Sequence, residues 1–250
     1  MLDQFATHQL VMITLTFCVA GFVKGVLGLG LPTLAMGLLG LVMPAAEAAA
    51  LLVVPSLVTN LWQLLTGPKF GALLRRLWPM LGGICIGTWA GSGLIAGADT
   101  AVTTAALGLA LAVYAMVGLT AVRMTLPPAW ETWLSPLVGT LTGLVTAATG
   151  VFVIPAVPFL QALGLTKDEL VQALGLSFTV STIALAASLA GDGAYGATLA
   201  GTSLLAIAPA LAGMALGQWA RSRLRPETFR RWFFVGLLAL GLYMAARGLL

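Results

Sequence analysis

Charge is what this sequence has least of. Only 8% of its 250 residues are Asp, Glu, Lys or Arg, where a soluble domain carries about 25%. The polar surface needed to face water on all sides is missing, which excludes an ordinary soluble domain. Histidine is reduced to His8 alone, and the two cysteines, Cys18 and Cys85, both fall in apolar runs. No metal-type cysteine spacing exists, so both read as small buried hydrophobes. There is no HExxH, no Walker motif, no paired intramembrane aspartate and no nucleophile–base pair. No catalytic residue, metal or cofactor is therefore expected, and the chain does not read as an enzyme. The N-terminal MLDQFATHQL carries Asp3 and no basic residue. It lacks the basic start of a secretory signal, so the first apolar run is expected in the mature protein. Weak period-2 alternation is also missing, which argues against a transmembrane barrel.

What the sequence has is apolar length. It is 60% hydrophobic with a mean hydropathy of +1.03, the composition of an integral membrane protein. Apolar runs fall at 10–44, 46–66, 77–98, 100–122, 132–166, 170–191, 197–220 and 232–246, joined by short connections. Two stretches repeat. PMLGGICIGTWAGSGL (79–94) and PALAGMALGQWARSRL (209–224) agree at eight of sixteen positions, including Pro79/Pro209, Gly83/Gly213, Gly87/Gly217 and Trp89/Trp219. A weaker match pairs Gly21 with Gly143, Gly28 with Gly150, Glu47 with Glu169 and Thr59 with Ser181. One membrane domain over 1–250 is expected, built of two repeats at about 1–123 and 134–250.

The repeats carry opposite charge bias. The loop at 67–76 holds Lys69, Arg75 and Arg76, whereas its counterpart near 190–200 holds only Asp192. The loop at 95–103 holds only Asp99, whereas 221–231 holds five arginines. Basic loops stay cytoplasmic, so opposite bias predicts opposite orientation and an inverted-topology repeat. Inversion needs an odd number of crossings per half. Three come from single runs, so the 35-residue run at 10–44 must contribute an even number. As one helix it would reach roughly 53 Å, well beyond a hydrocarbon core of about 30 Å. The expected fold is all-α: two inverted repeats, each a broken or re-entrant helical hairpin plus three transmembrane helices. A single kinked helix in place of each hairpin is the alternative, and would give parallel repeats. The hairpin reading puts both termini outside and 67–76, 123–133, 166–169 and 221–231 inside, with Trp78, Trp130, Trp133 and Trp232 as an interfacial belt.

Candidate binding residues gather at the breaks. In GVLGLGLP (25–32) Pro32 suits the first turn of a new helix, and TAATGVFVIP (146–155) carries a similar break at Gly150 and Pro155. A helix starting inside the membrane leaves N–H groups unpaired, and an anion suits them. The backbone N–H groups of Gly28, Gly30, Leu31, Gly150 and Val151 are the candidates; close helix packing is the other reading of these glycines. Lys24 is the only charge between Asp3 and Glu47. It either attracts the anion or snorkels to an interface. Ser56, Thr59, Asn60 and Gln63 recur at i, i+3, i+4, i+7 on one helix face, and Ser177, Ser181 and Thr182 sit on the counterpart. These hydroxyls and amides suit either an oxyanion or ordinary interhelical hydrogen bonds. Glu47, Asp168 and Glu169 read as helix-start residues.

The break ending in Pro32, the second break GVFVIP (150–155), the stretch LGLTKDELVQALGLSFTVST (163–182) and the repeated PxxxGxxxGxWAGSGL pattern together resemble the TauE/SafE family of sulfite and sulfonate exporters. The resemblance covers nearly the whole chain. It implies a bacterial inner-membrane permease for a small sulfur-containing anion, with the lipid bilayer as its other partner and no nucleic acid. Lys24, Gly28, Gly30, Leu31, Ser56, Thr59, Asn60, Gly150, Val151, Ser177, Ser181 and Thr182 are the expected substrate-binding set. Inverted repeats imply alternating access. An anion or water channel with a constant pore and a non-transporting membrane scaffold are the readings from other classes. Neither oligomeric state nor coupling ion is legible.

Overall fold

The computed structural model describes residues 7–120, 125–194 and 196–249. Asp3, Arg123 and both chain ends lie outside the described residues, so the expected placement of the termini does too. Twelve helices occur among the described residues, and no strand. They are α1 (Thr7–Leu27), α2 (Leu31–Leu39), α3 (Ala45–Leu65), α4 (Phe70–Ala90), α5 (Leu94–Gly97), α6 (Thr100–Thr120), α7 (Pro128–Thr149), α8 (Ala156–Ala162), α9 (Lys167–Gly191), α10 (Ala197–Leu205), α11 (Ile207–Arg221) and α12 (Pro226–Leu249). Seven helical stretches are long and apolar enough to cross a membrane, contributed by α1, α3, α4 with α5, α6, α9, α10 with α11, and α12.

The over-long first run is broken where its glycines stand. α1 ends at Leu27, and Gly28 and Gly30 take φ of 79° and 106°. That left-handed region is open to glycine at little cost and strained for other residues. Pro32 then occupies the first turn of α2, where its missing N–H is no loss. α2 has nine residues, so it is about 14 Å long and too short to span by itself. Lys24 reaches Thr59 and Asn60, while Gly28 meets Gln63. α1 and α3 therefore run in the same direction, and α2 with the turn at 40–44 makes the return between them. The second run breaks similarly: α7 ends at Thr149, Gly150 takes φ of 70°, and α8 has only seven residues.

Two helix pairs run parallel through glycine faces. α1 packs on α11 with Gly21 against Ala210, Gly25 against Met214, Gly213 against Cys18 and Gly217 against Phe22. α4 packs on α7 with Gly83 against Pro136, Gly87 against Thr140, Gly139 against Met80 and Gly143 against Ile84. In each case a Cβ would overlap a backbone carbonyl of the partner. Association of helices in lipid depends on such close backbone approach, because apolar burial gains little there.

Two further pairs cross antiparallel. In α6 and α12, Gly108 meets Gly241 and Ala245, and Gly241 meets Gly108 and Ala112. In α3 and α9, Asn60 meets Thr182 and Leu64 meets Gln172. α3 and α9 form the interior, and Ala48–Leu52 of α3 are fully enclosed. Pro55 interrupts α3 and cannot bond the Leu51 carbonyl. Ser203 of α10 donates to that carbonyl at 2.8 Å, as a water-free interior requires. Trp78, Trp130, Trp133 and Trp232 are all exposed.

Candidate anion-binding site

The polar side chains of α3 and α9 meet α1 at one place. Lys24, near the end of α1, is 2% exposed. Its Nζ donates to Thr59 Oγ1 at 3.0 Å and to Asn60 Oδ1. The Thr59 hydroxyl spends its own proton on the Pro55 carbonyl at 2.8 Å, leaving its lone pairs for the lysine. Asn60 Nδ2 donates to Ser56 Oγ at 3.1 Å and to Thr182 Oγ1 at 3.3 Å, while the Thr182 hydroxyl donates to the Phe178 carbonyl at 2.7 Å. The hydrogen bonds run one way, from the lysine to the Thr59 hydroxyl and the Asn60 amide oxygen, and from the amide nitrogen to the Ser56 and Thr182 hydroxyls. Ser56, Thr59, Asn60 and Thr182 are all buried. No carboxylate pairs with Lys24 among the described residues.

Around this network several buried polar atoms are unpartnered. Ser177 Oγ and Ser181 Oγ, one turn apart on α9, have no hydrogen-bond partner, and neither has Gln63 Oε1. Unmade hydrogen bonds of this kind cost about 1–3 kcal/mol each in an enclosed site. Such groups are candidates for contact with a ligand. Gln63 Nε2 is engaged, donating to the Gly28 carbonyl at 2.7 Å and so tying the break to α3. Gln63 also lines a cavity of about 320 Å³ with Thr66, Gly67, Pro68, Asp168 and Val171. That cavity thus reaches to within one helical turn of Asn60.

The backbone donors divide. The Gly28 N–H is spent on the Lys24 carbonyl at 2.7 Å. Gly150 N–H donates to the Thr146 carbonyl at 2.8 Å, and Val151 N–H to Thr149 Oγ1 at 3.2 Å. Three of the five expected N–H donors are therefore occupied within their own segments. Gly30 caps α2 with no side chain satisfying the helix start, and Leu31 follows it fully buried. The second break closes on itself because Thr149 stands where its hydroxyl can reach back.

Lys24 and this polar cluster are buried together, one helical turn before a glycine break. A family model described as sulfite exporter TauE/SafE matches residues 13–244. The chain belongs to the TauE/SafE family. It is accordingly a multi-pass membrane protein of a sulfite-exporter family. Comparison with curated proteins and with solved structures gave no match.

Gln63 is the residue that sequence reasoning left out of the binding set, although it lies on the same helical face as Ser56, Thr59 and Asn60. Gln172 was also missed. Its Nε2 donates to the Leu64 carbonyl at 2.9 Å and its Oε1 accepts from the Lys69 N–H at 2.8 Å, fastening α9 to the end of α3. The helix-start reading of Glu169 agrees with the structure: it forms a capping box with Thr166 and an ion pair with Lys69 at 2.7 Å. No group of three or more metal-ligating side chains occurs among the described residues.

Proposed function

We propose that this TauE/SafE protein is a secondary transporter that exports a small sulfur-containing anion, sulfite or an organosulfonate, held at Lys24. The observation that carries this reading is a buried lysine whose protein partners are all neutral. An ammonium taken from water at a cost of several kcal/mol needs an opposite charge close by. No carboxylate supplies one among the described residues, so the substrate does. Thr59, Asn60, Ser56 and Thr182 orient the amine, Ser177 and Ser181 offer unused hydroxyls, and Gly30 with Leu31 offers the open helix start of α2. Gly28, Gly150 and Val151 act as turn residues in this reading.

Alternating access follows if the two halves are inverted repeats, at about 1–123 and 134–250. The helix contacts support that design. Adding 118 to residue numbers in α1 and subtracting 130 from those in α11 converts every α1–α11 glycine contact into an α4–α7 contact: Gly21–Ala210 becomes Gly139–Met80, and Gly213–Cys18 becomes Gly83–Pro136. A shift of 133 exchanges α6 with α12, turning Gly108–Ala245 into Gly241–Ala112. A shift of 122 exchanges Asn60 with Thr182, which touch each other. Helices exchanged in this way that also cross antiparallel fit an axis lying in the membrane plane. Gly21 then corresponds to Gly139, four residues from the partner that sequence matching gave it.

The test is flux into proteoliposomes. Purified protein should take up sulfite or an alkanesulfonate with saturation. Lys24→Gln should raise the half-saturating concentration at least tenfold with the protein still folded. Equal transport by Lys24→Gln would remove the lysine from the site.

A further inference from the structure

The donor count at Lys24 says more than that an anion binds there. An ammonium has three N–H donors, and a neutral amine has two plus a lone pair. The cluster offers the lysine two acceptors, Thr59 Oγ1 and Asn60 Oδ1. Both are held as acceptors by their other bonds: the Thr59 proton goes to the Pro55 carbonyl, and the Asn60 amide nitrogen to Ser56 and Thr182. Two acceptors match a neutral amine. The third N–H of an ammonium has no protein partner, and its charge has no counter-ion.

The charged groups on the surrounding elements make no bond to Lys24, although Asp168 shares a cavity lining with Gln63. α2 contains no titratable residue. α3 contains only Glu47, thirteen residues before Asn60, or about 20 Å along the helix. On α11 the only one is Arg221, beyond the Gln218 that approaches Gly25. α12 meets this hairpin through Phe229 and Phe233, and its first two turns carry Glu227, Arg230 and Arg231. On α9, Lys167, Asp168 and Glu169 stand at the helix start, more than three turns from Thr182. None of these makes an ion pair or hydrogen bond with Lys24.

We infer that anion and proton bind to this site as a pair, with the Lys24 amino group carrying the proton. The balance is simple. An anion and one proton from the same aqueous side enter. The amine lone pair takes the proton, and the third N–H bonds the anion oxygen. A singly charged anion then crosses as a neutral ion pair, and both depart together on the other side. The inference rests on the proposed anion site and adds its coupling ion.

The test is calorimetric titration of ethanesulfonate into the purified full chain. Runs are made in pairs of buffers that differ in ionisation enthalpy. Ethanesulfonate stays singly anionic throughout, so every proton counted belongs to the protein. At alkaline pH, where the empty site holds a neutral amine, the expected result is uptake of one proton per anion bound, with affinity falling about tenfold for each unit rise in pH, as one-proton linkage requires. Lys24→Arg keeps a permanent charge and should bind ethanesulfonate with neither proton uptake nor that pH slope. Binding by the wild-type protein without proton uptake or a pH slope anywhere up to the alkaline end of the titration would overturn the coupling and leave the anion site standing. No binding of ethanesulfonate or sulfite at any pH would overturn the anion site itself.

Discussion

At the residue scale, Lys24 decides between two readings that the sequence left open. A lysine four residues before a glycine break looks the same on paper whether it reaches water or faces inward. The structure buries it against Thr59 and Asn60, and the snorkelling reading falls. Depth was illegible because it depends on where the hairpin turns relative to α3, a tertiary relation with no local signal. The polar face on α3 was legible from its spacing, since a helix puts i, i+3, i+4 and i+7 together. Replacing Thr59 by Val removes one acceptor from the lysine. A hydrogen bond to a charged group contributes about 1.5–3 kcal/mol, so Thr59→Val should weaken sulfite binding at least tenfold in a direct titration. Gly30→Ala tests the break. With φ at 106° and Val23 and Phe233 close by, a methyl group there should destabilise the fold by about 1–3 kcal/mol, seen as a lower detergent melting temperature.

At the element scale, both breaks were legible from glycine and proline, and both lie where those residues stand. Their chemistry was only half legible. Neither α2 nor α8 has a side-chain cap, and the donors of Gly28, Gly150 and Val151 are spent at the ends of the helices before the breaks. Nothing in a Gly/Pro pattern shows which backbone N–H groups of a break are already spent on the preceding helix. Gly83, Gly87, Gly213 and Gly217 were legible as repeat markers, and close packing was a reading given to the glycines of the two breaks. It applies to Gly21, Gly25, Gly83, Gly87, Gly139, Gly143, Gly213 and Gly217, but leaves Gly28 and Gly30 to the turn. Gly217→Leu and Gly87→Leu should each push a helix pair apart and cost about 1–3 kcal/mol or more. Because the two positions make equivalent contacts, their melting temperatures should fall by similar amounts. A large loss at one and none at the other would break the equivalence.

At the scale of the whole molecule, composition alone marked a membrane protein, and the charge bias of paired loops suggested inversion. If the halves are repeats, as proposed, the register of their first helices differs from the one that sequence matching suggested. α7 runs one turn further than α1 past the shared glycine faces, so identities before the break align at 118 and those after it at 122. A single offset could satisfy only part of the chain. The charge pattern also predicts sidedness: a lone cysteine beside Asp192 should react with an impermeant maleimide added outside cells, and one beside Arg225 should not. The reverse labelling would invert the proposed orientation.

The central claim is that one anion site at Lys24 serves both membrane faces in turn. Counterflow in proteoliposomes tests it most directly. Vesicles preloaded with unlabelled sulfite should accumulate external radiolabelled sulfite transiently above its equilibrium level, and Lys24→Gln vesicles should not. Non-saturable entry without an overshoot, or an overshoot undiminished in Lys24→Gln, would contradict the account.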